Sequence, residues 1–247
     1  MAPAPQLTLR QPVSLLGEVH DNAVQHALRL HAFEALLATG ARPALVMEQF
    51  NRDRQPDIDR LRADATPADA EARADAIISA AGAPGWKWPL YRPFVVLALR
   101  NDLPLVAANV GRAEAREVMR DGLAAHGFDA DLPAPVLDTL AADIEATHCG
   151  QVPAEIARQM ALAQVARDQQ MARALEAHAQ RGAVLLAGNG HVRTDVGVPR
   201  WLSPAVRARS EAIGVLEAGD TMAAFDRTVF TPAAPREDPC EGMHRPG

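Results

Sequence analysis

The chain has 247 residues, 48% of them hydrophobic and 23% charged, enough for a substantial buried core in an ordinary globular protein. A formal net charge of −6, with Arg scattered among acids and no basic stripe, argues against a nucleic-acid binder. No stretch approaches the roughly 20 apolar residues of a membrane span, and two cysteines, Cys149 and Cys240, make no disulfide framework. The simplest expectation for them is two free thiols, since no spacing demands a bridge.

Residues 1–12 are Pro-rich, with no basic or strongly apolar leader and no early Cys to take a lipid. As written, the chain reads as cytoplasmic; a periplasmic or membrane-anchored protein would require a signal removed from the front. Val13–Leu16 is a short apolar run that ends in Gly17-Glu18-Val19-His20. Such a run, bounded by Gly, reads as a buried parallel strand. Asp21 or Asn22 caps a helix over 23–39, with Ala27, Leu30, Phe33, Leu36 and Leu37 as its expected apolar face and Gly40 as its stop. A second strand, Ala44–Met47, delivers Glu48 at its end.

Residues 51–83 read as an insertion of two polar helices covering the carboxyl edge of the strands, with Thr66-Pro67-Ala68-Asp69 as a helix start. The segment from Pro84 to Pro93 holds Trp86, Trp88 and the only tyrosine, Tyr91. An aromatic cluster framed by prolines is a core plug or the wall of a pocket for a flat ligand. A helix over 94–101 leads to a third strand, Leu105–Asn109, with Asn109 and Arg112 at its carboxyl end.

Helices follow over 111–122, 135–147 and 153–180, the last carrying Met160 and Met171 on a stripe that reads as core. His148-Cys149 at the end of the second is a weak metal signal. Strand four, Ala183–Ala187, ends in a second Gly-x-x-His, Gly188-Asn189-Gly190-His191. Ile213–Leu216 and Thr228–Phe230 read as strands five and six, and residues 232–247 form a Pro- and charge-rich tail. The whole, 1–247, reads as one α/β domain with a parallel-rich central sheet flanked by helices.

In open α/β sheets, ligands bind beyond the carboxyl ends of the strands. His20 and His191 should therefore face one crevice, with Glu18 and Glu48 beside them. Glu18, His20, Glu48 and His191 make an acid–base set, and His20, His191 and Glu48 a possible site for a divalent metal.

These motifs, in this order, resemble the ChaN-like haem-binding proteins, within the wider group of Tiki, TraB and the erythromycin esterases. The resemblance covers roughly residues 13 to 202. It rests on Gly17-Glu18-x-His20, Met47-Glu48, Gly85-Trp86-x-Trp88-x-x-Tyr91 and Ala107-Ala108-Asn109. It continues through Gln164-x-x-Arg167-Asp168-x-x-Met171-Ala172, Gly188-Asn189-Gly190-His191-Val192-Arg193 and Gly197-Val198-Pro199. It implies an α/β fold and haem binding in iron uptake, often in lipoproteins with haem held at a dimer interface, so that a homodimer is a possible state. By carry-over from the wider group, Glu18, His20, Glu48 and His191 are the site residues. Tyrosine is a known axial ligand of ferric haem, and Tyr91 is the only candidate. Under this reading Trp86 and Trp88 line the haem, Tyr91, His20 or His191 holds the iron, and Arg92 or Arg112 meets the propionates. The alternative is an ester, amide or peptide hydrolase that activates water with the His and Glu side chains, with or without a metal.

Overall fold

The computed structural model describes residues 6–64, 69–237 and 240–241. In chain order the elements are β1 (Val13–Leu16), α1 (Ala23–Ala38), β2 (Ala44–Asn51), α2 (Gln55–Ala63), α3 (Ala70–Ala81), α4 (Trp88–Arg100) and β3 (Leu105–Asn109). They continue with α5 (Arg112–Asp121), α6 (Ala134–Thr147), α7 (Ala154–His178), β4 (Ala183–Leu186), α8 (Asn189–Val192), α9 (Pro204–Arg207), β5 (Ser210–Glu217) and β6 (Arg227–Thr231). The chain divides into two compact units, residues 1–109 with 170–234, and residues 110–169 with 235–247.

The first unit is an α/β layer structure on a six-stranded, all-parallel sheet of order β3-β2-β4-β1-β5-β6. The strands of its centre are buried on both faces, which is why they read as continuous apolar runs. Alternate side chains feed two cores. Leu16, Leu45, Met47, Leu105, Leu186 and Ile213 pack with Phe33 of α1, Ile58 of α2, Ile77 of α3 and Phe94 of α4. Leu15, Val46, Leu185 and Ala212 pack with Met171 and Leu175 of α7 on the other face.

The strand order is what places the site. β2, β4 and β1 lie side by side, so the residues that follow their last pairs, Met47↔Leu186 and Leu16↔Leu186, leave the sheet at one edge. Past Met47 the register of β2 against β3 shifts, Asn51 pairing with Asn109, so Glu48 sits where the ladder is interrupted.

Three expectations change. The buried face of α1 is Gln25, His26, Arg29, Ala32, Phe33 and Leu37, rotated from the expected stripe; Ala27 is exposed and Leu30 and Leu36 only partly covered. The reason is a buried polar network at the start of the helix, described below. The residues over 51–83 do form two helices, but they are core elements as well, with Ile58 and Ile77 fully buried beside Phe50 and Tyr91. Of the expected helix start, Thr66, Pro67 and Ala68 lie outside the described residues, while Asp69 caps α3 by accepting from the Ala72 N–H at 2.7 Å. The free-thiol reading is overturned: Cys149 and Cys240 form a disulfide across 91 residues, their Cα atoms 5.5 Å apart.

The second unit is helical. α5, α6 and the first part of α7 bury Val118, Leu140, Ile144, Ala157 and Ala161 with Phe128. Gln169 closes it locally, accepting from the Asp129 N–H at 2.7 Å and donating to the Asp129 carbonyl at 2.8 Å. His148 Nδ1 donates locally to the Ile144 carbonyl at 2.8 Å, and the disulfide takes its neighbour Cys149 out of any metal role.

Candidate functional site

Glu18 is the centre of the site. It follows β1, is fully buried, and gathers three donors: Arg29 and Tyr91 at short contact, and His20 Nδ1 at 2.7 Å from Oε1. Burial works against its charge, but Arg29 above all, then His20 and His26, hold its carboxyl below the usual range. Glu18 is therefore an anion and accepts only, so His20 Nδ1 is the donor and in the neutral ring the lone pair lies on Nε2. The His20 side chain is half exposed, while that of Glu18 is wholly inside.

His26 completes the network from α1. Arg29 donates to its Nδ1 at 3.2 Å, which leaves Nε2 as the protonated nitrogen, 3.1 Å from the His20 carbonyl it serves. Burial and then Arg29 push His26 down to about 4, so it is neutral at pH 7. Arg29 is itself fully buried and reaches the Leu16 carbonyl at 3.3 Å.

A second pair stands beside the first. His191 Nε2 lies 3.4 Å from Glu48 Oε1, and Glu48 Oε2 accepts from the Gly188 N–H at 2.8 Å. Burial would raise Glu48, but His191, His20 and the Gly188 N–H bring it to about 2. His20 is raised despite burial, by its bond to Glu18 and by the charge of Glu48.

Gly188 is the joint between the pairs. A Cβ there would stand 2.9 Å from His20 Cε1 and 3.1 Å from Nε2, so any side chain would occupy the free edge of the imidazole. Gly17 has the same logic: a Cβ would collide with the Asn189 amide. That amide crosses the end of β1 to pair with the Val215 backbone, donating to its carbonyl at 2.7 Å and accepting from its N–H at 3.0 Å. Asn189 thus ties the loop after β4 to β5 over Gly17.

The aromatic segment closes on the first pair. Trp86 meets the His20 ring edge-on at 4.7 Å and Tyr91 at 5.5 Å; Trp88 meets Phe50 at 4.9 Å. The plug reading of this cluster holds for Tyr91. Tyr91 is a plug, fully buried, its hydroxyl given to Glu18 and its acidity suppressed by burial and the Glu18 charge. Trp86 and Trp88 are half-buried.

Of the expected site residues, the structure brings together Glu18, His20, Glu48, His191, Trp86, Trp88 and Tyr91. Arg92 lies on α4 but is clamped by Asp75, with bonds of 2.6 and 2.9 Å, and by Glu71 at 2.5 Å. Arg112 opens α5 in the second unit. Among the described residues no group of three or more His, Cys, Asp or Glu side chains is set to hold a metal ion. Each histidine of the set His20, Glu48 and His191 is turned instead to a carboxylate of its own. Sequence reasoning missed His26, Arg29, Asn189 and Gly188 as working parts.

A family model for the haem-binding uptake proteins of the Tiki superfamily, ChaN, matches residues 7–202. The chain belongs to the ChaN family. Among solved structures it is similar to ChaN of Campylobacter jejuni, described for cofacial haem binding, at a TM-score of 0.71 and 20% identity over 89% of this chain and 87% of that one. This supports the α/β fold with its parallel sheet. The erythromycin esterase EreC aligns at a TM-score of 0.48 and 14% identity, covering 94% of this chain and 79% of that one. The type III effector HopBA1 aligns at 0.47 and 11%, covering 91% and 88%. No curated protein matches the chain. No helix among the described residues is long and apolar enough to cross a membrane.

Proposed function

We propose that this ChaN-family protein binds haem against Trp86 and Trp88, with His20 as the iron ligand, and that it handles haem or iron in an oxidising compartment. The observation that carries the reading is the state of His20. Its imidazole is half exposed, its Nδ1–H is fixed on the buried Glu18, and Trp86 stands edge-on against it. A histidine that donates one nitrogen to a carboxylate offers the other as a basic, oriented ligand, the arrangement common to metal-bound histidines. The residues fit the group in a second respect: residue 188, being Gly, puts no side chain of its own against the Nε2 edge. When bound, haem would supply an iron that takes a ligand from the protein and a strong visible band that reports on it.

The chain's own parts divide the work. Glu18 holds the His20 tautomer, and Arg29 holds Glu18. Tyr91 is the poorer ligand, because its hydroxyl would have to leave Glu18 and its ring lies inside the core. The disulfide supports the compartment, since such bonds persist where the surroundings are oxidising.

The test is a titration of the purified protein with haemin, followed in the Soret band. We expect a saturable shift that His20→Ala abolishes and Tyr91→Phe keeps. Native protein without a shift would overturn haem binding. A shift lost in Tyr91→Phe and kept in His20→Ala would overturn the ligand.

A further inference from the structure

The cations near the aromatic segment are already engaged, with one exception among the described residues. Arg29 is buried on Glu18, Arg92 is held by Asp75 and Glu71, and Arg100 bonds Glu71 at 2.7 Å. The exception is Lys87. It is exposed, makes no side-chain cap to α4, and has no ion pair or side-chain hydrogen bond. It is also the only lysine of the chain, which otherwise uses 24 Arg as its basic residues.

Its position is specific. Lys87 stands between Trp86 and Trp88, whose rings are half-buried. Trp86 touches His20, so the residue next to Lys87 in sequence is in contact with the ligand proposed above. No acid lies in the residues before it, Ala83, Pro84, Gly85 and Trp86, or in the first turn of α4. The backbone around it is stiff. Pro84 and Pro89 fix their φ angles, Gly85 turns with φ +93, and Trp88 Nε1 donates to the Ala83 carbonyl at 3.2 Å. A flexible ammonium on a fixed backbone, flanked in sequence by two tryptophans and with no acid among its sequence neighbours, suits a flat apolar ligand that carries carboxylates.

We propose that Lys87 is the anion anchor of this site, binding a carboxylate of a planar aromatic ligand whose face lies on Trp86 and Trp88. For haem, that carboxylate is a propionate. The inference rests on the haem reading and replaces Arg92 and Arg112 in the propionate role.

A lysine that is unique in its chain can be followed by amine acylation, with the α-amine as internal reference. The protein is acylated with and without haemin, and modification at Lys87 is read by mass spectrometry. In parallel, haemin and its dimethyl ester, which has no carboxylate, are titrated into native protein, Lys87→Ala and Lys87→Arg. We expect haemin to protect Lys87, and Lys87→Ala to weaken haemin by about fivefold, as for one exposed charge-assisted contact. The ester should bind all three proteins equally, and Lys87→Arg should keep haemin. A Soret shift without protection of Lys87, or equal weakening of haemin and ester, would overturn the anchor and leave haem binding standing. No Soret shift in native protein would overturn both.

Discussion

His26 is the residue where burial and function are most plainly coupled. It is 3% exposed and neutral, with both ring nitrogens used, one accepting from Arg29 and one serving the His20 carbonyl. Its proton affinity is depressed to about 4, first by burial and then by Arg29. A group that is harder to protonate in the folded state contributes stability fully above its unfolded value of 6.5, and that contribution is lost as pH falls through 4. The loss is at most about 3 kcal/mol. Glu48, held at about 2, adds a second loss between 4.5 and 2. His26→Gln keeps a donor and an acceptor but does not titrate. Urea unfolding at pH 7 and pH 5 should show a marked fall for native protein and a smaller one for the variant; equal falls would remove His26 as the cause. The four strand-end residues Glu18, His20, Glu48 and His191 were legible in the sequence because Gly-x-x-His and a terminal Glu follow apolar runs. His26 and Arg29 were not. They lie on α1 at the spacing of a buried stripe, but as polar residues they read as its wet face, and only the Glu18 carboxylate they serve explains their place.

At the scale of elements, α1 is capped at its start by the Asn22 side chain. Asn22 accepts from the Val24 and Gln25 N–H groups at 3.0 and 3.2 Å, and its amide donates to Glu217 at 2.8 Å and to the Pro232 carbonyl at 2.9 Å. The same residue therefore caps the helix that carries His26 and Arg29 and joins it to the far end of β5. Asn22→Ala should cost about 2–3 kcal/mol, a lost cap plus buried acceptors left short of a donor. Asn22→Ser keeps the cap alone and should recover about 1 kcal/mol of that. Chemical denaturation of the two variants separates the roles; equal losses would mean that the tie to β5 carries the whole effect. The strands themselves were readable to within a residue or two for β1, β3 and β4, since their apolar runs are short and bounded. β5 and β6 run longer than expected because Ser210, Glu211, Arg227 and Thr231 pair within the ladder, although Ser210, Glu211 and Arg227 are not strand-favouring types. The parallel order that sets β2, β4 and β1 side by side is a long-range fact, and no local pattern carries it.

For the molecule as a whole, the disulfide is the feature that composition could not announce. Cys149 follows α6 and Cys240 lies in the tail, and only the fold brings them together. The bridge closes a loop of 91 residues that contains α7, β4, β5 and β6, so it limits the unfolded freedom of half the sheet as well as of the tail. The loop-entropy account gives about 4.6 kcal/mol for a closure of this length, of which bridges typically deliver about 2–4 kcal/mol, and for a chain of this size that is a melting shift of roughly 5–15 °C. Because the gain arises in the unfolded chain, it should appear in global unfolding and not as a change in the folded site. The Cys149→Ser, Cys240→Ser protein should therefore melt lower in the range just given while its haemin titration is unchanged. Native protein treated with reductant, once its two thiols are counted as free, should match it. A melting point that ignores reduction would show that the unfolded chain is already held compact without the bridge. A lower melting point together with a weakened haemin titration would show instead that the bridge shapes the folded site, and the loop-entropy account would fail.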